Sequence, residues 1–277
     1  MILVTGASGK VGRSVVEQLV TVGEPVRALT RGNLVADFPE DVEYFEGDLS
    51  DADSLDGAFE GVERMFLFTP STGSGSVAEI ARSRGVKRVV LLSSIVTQKA
   101  DPKFNVIAAR HCAAEQSVAE SGLTWTFLRP DTFATNTLEW ASSIRSFGVV
   151  QAPYGRSLRC PVHEKDIAAV AVAALLEGGH EETAYWLTGP DVISVIDQVD
   201  AISKAIKKPI AFEELGREEA LKLMTQKMPK PAVERLLEYA LKSIDTPPLI
   251  SDNINNILDR PGLSFRQWAR DHAQDFV

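Results

Sequence analysis

A glycine-rich segment near the N-terminus carries the residues best suited to bind a phosphate. Gly6, Gly9 and Gly12 recur at every third position, between an apolar run and a helical pattern. There the first glycine permits a tight turn, the second lets the backbone approach a pyrophosphate, and the third lets the helix pack closely on the strand. The pattern predicts a dinucleotide-binding loop rather than a glycine-rich turn without a ligand. Its predicted cofactor-binding residues are Thr5, Gly6, Ser8, Gly9, Lys10, Val11 and Gly12.

Charged residues after the next two apolar runs indicate which dinucleotide is bound. Arg31 follows the second run, where an NAD-binding protein usually has an acidic residue. A guanidinium pairs with a 2′-phosphate that a carboxylate would repel, so NADP(H) is predicted over NAD(H). The alternative is that Arg31 is a solvated loop cation. Asp48, followed by Leu49, is placed to accept the adenine amino group, or else to cap a helix near Asp51.

The order of the predicted elements defines the fold class. Short continuous apolar runs alternate with helical patterns, which indicates a parallel, doubly wound α/β sheet covered on both faces. Residues 1–187 are predicted as a Rossmann domain, with part of 131–165 contributing to a substrate pocket. Residues 188–277 are predicted as a smaller, mostly helical C-terminal substrate lobe, with a helix break at prolines 229 and 231. The predicted strands are 2–5, 26–30, 42–46, 64–68, 88–92, 124–128 and 184–187, and the predicted helices of the first domain are 10–22, 51–59, 76–84, 105–121, 136–147 and 166–176.

Composition excludes several other classes of protein. The 277 residues carry 29 Lys and Arg against 38 Asp and Glu, a formal charge of −9, which argues against binding nucleic acid. Cys112 and Cys160 cannot form a disulfide framework. No metal-ligand spacing, membrane span or secretory signal is visible, so we expect a metal-free cytoplasmic protein with a small-molecule substrate and no membrane partner. The sequence is compatible with a homodimer but does not decide the oligomeric state.

Several stretches of the sequence together are typical of one family. They are TGASGKVG from Thr5, VRALTR from Val26, GDLSD from Gly47, VVLLSS from Val89, SGLTWTFLRP from Ser121, FATN from Phe133, VHEKDIA from Val162 and FRQWARDH from Phe265. On these stretches the chain resembles the NmrA-like branch of the atypical short-chain dehydrogenase/reductases. That resemblance implies a Rossmann domain with a substrate lobe and bound NADP(H), and members include reductases of quinones, enones and imines as well as NADP sensors.

The catalytic pair of that family is missing at the matching positions. Short-chain dehydrogenases usually use a tyrosine, with a lysine four residues later, to donate a proton. Counted back from Glu115, Ile107 stands at the tyrosine position and His111 at the lysine position. Isoleucine cannot donate a proton, so the resemblance predicts that the Tyr–Lys mechanism is absent.

Candidate catalytic and substrate residues lie at the ends of the later strands. Ser93 and Ser94 are placed to bind a substrate oxygen or else local backbone, and His111 to orient a ribose or relay a proton. Asp131 is a candidate acid or cation anchor, with helix capping as the alternative. Thr69 and Pro70 are expected beneath the cofactor. Phe133, Asn136 and Tyr154 are predicted to line the substrate pocket.

Three functions fit these observations. The favoured one is an NADPH-dependent reductase that transfers hydride to a small, mostly apolar, conjugated acceptor of the quinone, enone or imine type. The second is a non-catalytic NADP(H)-binding redox sensor, which the missing tyrosine and lysine would suit. The third is an extended-family enzyme that modifies a sugar nucleotide or a lactone.

Overall fold

The chain folds into two compact units. The computed structural model describes residues 1–32, 38–69, 74–103 and 105–277. One unit contains Met1–Asp131, Glu164–Leu187 and Asn253–Arg260, and the other contains Thr132–His163, Thr188–Asp252 and Pro261–Val277. Both units are therefore discontinuous in sequence. The predicted domain boundary after residue 187 stays a prediction, although one of the crossings between units falls there.

The first unit is built on a parallel sheet of seven strands. Its order is β3-β2-β1-β4-β5-β6-β9, with every pairing parallel. The order reverses direction after β1, which is the topological switch point where doubly wound sheets bind ligands. The predicted fold class is confirmed. In chain order the strands are β1 (Ile2–Thr5), β2 (Val26–Thr30), β3 (Glu43–Glu46), β4 (Arg64–Phe68), β5 (Arg88–Leu92), β6 (Thr124–Pro130), β7 (Val149–Ala152), β8 (Leu158–Arg159), β9 (Thr183–Leu187), β10 (Ile193–Ser194) and β11 (Ala211–Glu214).

Helices cover both faces of this sheet. Helix α1 packs against α6, and α2 packs against α4. Because the two halves of the sheet grow in opposite directions from β1, right-handed crossovers place α1 and α2 on opposite faces. The helices are α1 (Lys10–Thr21), α2 (Ser74–Ser83), α3 (Val96–Lys99), α4 (Val106–Glu120), α5 (Ala141–Phe147), α6 (Glu164–Leu176), α7 (Val195–Ile206), α8 (Arg217–Met224), α9 (Lys230–Lys242), α10 (Asn253–Leu258) and α11 (Phe265–Asp271).

The apolar core explains why the strands stand out in the sequence as continuous runs of apolar residues. Leu3, Met65 and Val89 from the strands pack with Val77 of α2 and Val118 of α4 in one buried cluster. Strands covered by helices on both faces need apolar residues at successive positions rather than at alternate ones. This burial contributes about 25 cal/mol per Å² of apolar surface and holds the carboxyl ends of the strands in place.

Two predicted helices differ from the structure. The predicted helix over 51–59 is only a 3-10 turn at Asp53–Leu55, and Gly57 follows with φ +85°, which a continuing α-helix cannot contain. The predicted helix over 136–147 is a 3-10 segment, Ala134–Trp140, followed by α5. Helix α5 ends at Gly148 in the left-handed conformation, a common helix C-terminus.

The second unit combines short sheets with helices. β10 pairs with β8 and β11 pairs with β7, whereas the sequence indicated none of these four strands. The predicted helix break is confirmed, because α8 ends at Met224 and α9 begins after Pro229. Trp268 is fully buried in the main cluster of this unit. Among the described residues, no helix is both long enough and apolar enough to cross a membrane.

Candidate functional site

The glycine loop has the backbone geometry of an anion-binding turn. Gly6 has φ +61°, and a Cβ added to it would lie 3.0 Å from the Cβ of Phe68. A Cβ on Gly12 would lie 2.2 Å from the Gly6 carbonyl oxygen, so only glycine permits this approach of helix to strand. Helix α1 begins after Gly9 without a hydrogen bond from a capping side chain of the described residues. Its first N–H groups therefore point outward, as an anion requires.

Some of the other predicted residues of the loop are buried and support the turn, and others are exposed beside it. The Thr5 hydroxyl accepts a hydrogen bond from the Phe68 N–H at 2.8 Å, and Thr5 is buried. It therefore joins the ends of β1 and β4 beneath the turn. Val11 is buried in α1, whereas Ser8 and Lys10 are exposed beside the helix N-terminus. These exposed residues are the ones free to contact a phosphate.

Arg31 lies exposed on a turn that neighbouring hydroxyls hold in place. Thr30 and Tyr44 both donate hydrogen bonds to the Gly32 carbonyl, the Thr30 bond at 2.7 Å. This fixes the backbone around Arg31 at the carboxyl end of β2. Arg31 is thus a positioned surface cation on the edge where the cofactor is expected.

Arg27, near the start of the same strand, is a buried cation with a structural role. Its guanidinium is buried, donates to the carbonyls of Ala58 at 2.7 Å and Glu60 at 2.9 Å, and pairs with Glu43 at 2.9 Å. These bonds tie the chain before β4 to β2 and β3. Arg27 is therefore committed to the fold and cannot turn toward a phosphate without breaking them.

Asp48 makes a local turn with Ser50 and does not cap a helix, since the 3-10 turn Asp53–Leu55 has no side-chain cap from a described residue. Its Oδ1 accepts from the Ser50 N–H and from the Ser50 hydroxyl, each at 2.8 Å. These bonds lower the pKa of Asp48, and the charge of Arg31 adds a smaller lowering effect. The neighbouring Leu49 packs partly buried against the core. A role for Asp48 and Leu49 toward adenine stays a prediction.

Thr69 extends β4 and is fastened to β5. It is buried, and its hydroxyl donates to the Leu92 carbonyl at 2.7 Å. The hydroxyl therefore stabilises the carboxyl edge of the sheet beside the expected cofactor. Pro70 lies outside the described residues.

Ser93 belongs to a buried polar network that the sequence did not indicate. Its hydroxyl donates to Glu115 Oε1 at 2.6 Å, and Arg129 donates to both oxygens of that carboxylate. The network joins the ends of β5 and β6 to α4. Because an ionised carboxylate only accepts hydrogen bonds, the single Ser93 proton is committed to Glu115. Ser93 can therefore accept a hydrogen bond from a ligand but cannot donate one in this arrangement.

Ser94 makes local bonds at the start of α3. Its hydroxyl accepts from the Val96 N–H at 3.3 Å, and its carbonyl accepts from the Thr97 hydroxyl at 3.1 Å. These bonds correspond to the alternative in which Ser94 binds the local backbone instead of a substrate. The bond to Val96 is long, so the Ser94 hydroxyl remains available to exchange it for a ligand.

His111 is buried on the face of α4 that also carries Glu115. It is 8% exposed, and its Nδ1 has no hydrogen-bond partner among the described residues. Burial, with a further contribution from the charge of Arg110, lowers the pKa of His111 to about 4. The imidazole is therefore neutral at neutral pH. It can hold a ligand by hydrogen bonding, but its pKa does not suit the predicted proton relay near neutrality.

Asp131 is paired with a lysine that the sequence did not suggest as a partner. Lys99 Nζ lies 2.5 Å from Asp131 Oδ2 and 5.5 Å from the centre of the Trp186 ring. The following 3-10 segment begins after Phe133 without a side-chain cap from a described residue. Lys99 therefore engages the Asp131 carboxylate, and the capping alternative is not formed, while a role for Asp131 as an acid or a cation anchor stays a prediction.

The three predicted pocket residues all lie in the second unit. Phe133 is half-buried and forms an isolated bridge with Val162, and Asn136 is exposed. The Tyr154 backbone is in the left-handed region with φ 54°, and its hydroxyl accepts from Arg217 at 3.3 Å. Tyr154 packs against the small apolar cluster that includes Met224 and Met228. The substrate-pocket assignment stays a prediction.

The residues at the carboxyl edge of the first unit fit a dinucleotide. A Cβ on Gly12 would collide with the Gly6 carbonyl, so the close approach of α1 to the loop depends on glycine. The first N–H groups of α1 have no side-chain cap among the described residues, and the buried His111 Nδ1 has no partner among them. Arg129, Glu115 and Lys99 also belong to this edge, although none of the sequence motifs indicated a role for them there. A basic residue directly before the proline that ends β6 is the signal that could have drawn attention to Arg129. In the described part of the chain, no three His, Cys, Asp or Glu side chains form a metal-binding group.

Comparison with known proteins places the chain in a family. The family described as NAD(P)H-binding matches residues 6–178, which is more than half of the chain. A relative from Streptomyces griseus, named (4-alkanoyl-5-oxo-2,5-dihydrofuran-3-yl)methyl phosphate reductase, is 39% identical over 100% of this chain and 99% of its own. The NAD(P)H azoreductase of Xenophilus azovorans is 33% identical over 100% of this chain and 99% of its own. The chain belongs to the NAD(P)H-binding family and is an oxidoreductase.

Solved structures agree at the level of the fold. An NADPH-dependent quinone oxidoreductase from Escherichia coli, complexed with NADPH, has a TM-score of 0.78 at 22% identity and covers 98% of this chain and 99% of its own. A mutant NmrA has a TM-score of 0.72 at 16% identity and covers 98% of this chain and 94% of its own. The resemblance to NmrA-like proteins is thus matched at the level of the fold.

Proposed function

We propose that the protein is an NADPH-dependent reductase that transfers hydride to a small conjugated acceptor, without the usual tyrosine and lysine. The observation that carries this proposal is that each candidate proton donor at the carboxyl edge is either bonded to another side chain or uncharged at neutral pH. Ser93 donates to Glu115, His111 is neutral, and Asp131 is paired with Lys99. An acceptor that stabilises its own negative charge needs none of them as a proton donor.

The balance of the reaction explains why conjugation matters. NADPH, when bound, would supply a hydride. The hydride forms a C–H bond at the far end of the conjugated system and the π bond breaks. In an enone or quinone the electron pair moves to the carbonyl oxygen, and the resulting anion is delocalised, so water can supply the proton afterwards without a positioned protein acid. A protonated imine takes the hydride at its carbon, and its π electron pair neutralises the nitrogen, so no further proton is needed.

The chain's own residues orient the reactants. The N–H groups of α1 after Gly9 hold the pyrophosphate, and Gly12 lets the backbone approach it. Arg31 pairs with the 2′-phosphate, which favours NADPH over NADH. His111 contributes a neutral hydrogen bond, and Ser93 accepts one. These contacts fix the geometry of hydride transfer, which is the main contribution a protein makes to cofactor chemistry.

The named relatives support an activated acceptor. The acceptor of the Streptomyces griseus relative, by its name, is an unsaturated lactone that carries an alkanoyl group. Its ring double bond is conjugated to two carbonyls, so it takes hydride readily. Quinones have the same property, and the quinone oxidoreductase shares this fold.

A panel of acceptors tests the proposal. NADPH oxidation is followed with conjugated acceptors (a quinone, an alkanoyl butenolide and an iminium) and with matched saturated ketones. We expect turnover with conjugated acceptors and none with saturated ketones, because the latter require a proton donor in the transition state. Efficient reduction of saturated ketones would contradict the proposal. Tight NADPH binding with silence across the whole panel would favour a redox sensor.

A further inference from the structure

Two neighbouring residues of α4 carry buried nitrogens without partners. The Nε of Arg110 and the Nδ1 of His111 are both buried and make no hydrogen bond to the described residues. Burying a polar group without a partner is unfavourable, and folded proteins contain few such groups. At adjacent positions of one helix, Arg110 and His111 thus offer hydrogen-bonding capacity that the described residues do not use.

Arg110 has no anionic partner in the described part of the chain. The nearest buried carboxylate on its helix, Glu115, is engaged by Arg129 and Ser93. The sequence holds 38 acidic residues against 29 basic ones, so an acidic partner could easily have been supplied. Arg110 is only partly buried, so the outer edge of its guanidinium can reach an anion from outside.

His111 adds a donor without adding a charge. The imidazole is neutral because burial lowers its pKa to about 4. With the proton on Nε2, the buried Nδ1 presents a lone pair rather than an unpaired N–H, and buried unpaired N–H groups are the rarer of the two. This tautomer leaves Nε2–H available as a donor. Toward a ligand, the guanidinium of Arg110 and the Nε2–H of His111 therefore both act as donors, which suits an oxygen-rich anion.

The topology separates this pair from the expected phosphates of the cofactor. Glu115 is bonded to the ends of β5 and β6, and His111 stands one helical turn, roughly 5.4 Å, nearer the start of α4. β5 is two strands from β1 and three from β2. At the usual strand spacing these distances are about 10 and 14 Å. Helix α1 also lies on the opposite face of the sheet from α4.

We propose that Arg110 and His111 form an anion subsite that binds the phosphate monoester of a phosphorylated conjugated substrate. The inference rests on the proposed reductase function and adds a substrate class to it. A phosphate monoester has several acceptor oxygens and matches one guanidinium fork plus a neutral N–H donor. The Streptomyces griseus relative, whose name specifies a methyl phosphate, supports this class.

The main experiment compares a phosphorylated substrate with its alcohol. The probes are an alkanoyl butenolide methyl phosphate and the dephosphorylated alcohol, assayed with NADPH. We expect R110A to raise KM for the phosphate about 10- to 100-fold more than KM for the alcohol, since hydrogen bonds to charged groups have this strength. R110K, which keeps the charge but loses the fork, should lie between R110A and the wild type.

A matched control removes the same charge elsewhere. Arg82 is exposed in the last turn of α2, in the same unit but at the end of α2 away from the carboxyl edge. We expect R82A to keep the wild-type preference for the phosphorylated substrate. The dissociation constant of NADPH, measured for every variant, reports folding and cofactor binding independently of turnover.

Several outcomes would overturn the subsite. An equal rise in KM for phosphate and alcohol in R110A would make Arg110 a structural residue. A loss of NADPH affinity as large as the rise in KM would assign the bound phosphate to the cofactor. A wild type that does not prefer the phosphate would also contradict the inference while leaving the reductase proposal intact.

A measurement without turnover separates the two proposals. If NADPH is not oxidised with either substrate, the reductase proposal fails, and inorganic phosphate is titrated into the NADPH-saturated protein. Thermal stabilisation by phosphate that is lost in R110A but kept in R82A would support the subsite. Absence of stabilisation in the wild type, or equal stabilisation in both variants, would overturn it.

Discussion

Arg129 holds both carboxylate oxygens of Glu115, its Nε 2.9 Å from Oε1 and its Nη2 2.7 Å from Oε2. The side chains are 19% and 11% exposed, so the pair is largely removed from water. Ser93 donates the third hydrogen bond to the carboxylate. The pair therefore fastens the central helix α4 to two strand ends at the carboxyl edge of the sheet.

Removing the carboxylate should destabilise the protein strongly. In Glu115→Ala, Arg129 would remain largely buried without a counter-charge, and we expect the free energy of unfolding to fall by about 3–5 kcal/mol. Urea unfolding measures the change. The control is Glu120→Ala, at an exposed position of the same helix, where we expect a change within about 0.5 kcal/mol. Equal effects of the two variants would show that the buried pair contributes nothing specific.

Adding one methyl group to the glycine loop should weaken cofactor binding. In Gly12→Ala the Cβ would lie 2.2 Å from the Gly6 carbonyl oxygen, so the turn and α1 must separate. We expect NADPH affinity to fall by at least about tenfold and stability to fall by about 1–3 kcal/mol. Gly178→Ala is the control, because an added Cβ there has nothing within 4 Å. Unchanged NADPH binding in Gly12→Ala would remove the loop from the cofactor site.

Arg31 should set the preference between the two nicotinamide cofactors. We expect Arg31→Ala to weaken NADPH binding about tenfold, because a charged hydrogen bond to the 2′-phosphate is lost, and to leave NADH binding unchanged. Calorimetric titration of both cofactors gives the ratio. The control is Arg82→Ala, which removes the same charge from an exposed position of α2. A parallel loss for NADPH and NADH would refute the phosphate assignment.

His111 should make the protein less stable in acid. Its pKa falls from the usual 6.5 to about 4 on folding, so between these values the unfolded chain binds more protons. Stability is therefore lost as the pH falls from about 6.5 toward 4, and the contribution of His111 amounts to about 3 kcal/mol. His111→Gln cannot take up this proton, so its unfolding free energy should fall by that much less over the same window. Identical pH dependence of wild type and variant would contradict the lowered pKa.

Many of the strands and turns of the first unit could be predicted from local sequence patterns. Strands β1, β2, β4 and β5 begin and end where the apolar runs predicted, and the spacing of Gly6, Gly9 and Gly12 located the turn between β1 and α1. These features depend on nearest neighbours, because strand burial, helix periodicity and glycine turns repeat over a few residues. The helix predicted over 51–59 failed where the backbone of Gly57 interrupts it.

The partners of the polar side chains were decided by the tertiary structure alone. Ser93 and Glu115 lie 22 residues apart, and Lys99 and Asp131 lie 32 apart. Such pairs form only after the strands take their order, and side-chain periodicity carries no information about them. The sequence alone determined a dinucleotide loop on a doubly wound sheet. The tertiary structure decided which acids are already engaged and left Arg110 without an acidic partner in the described chain, because engagement depends on which strand ends become neighbours.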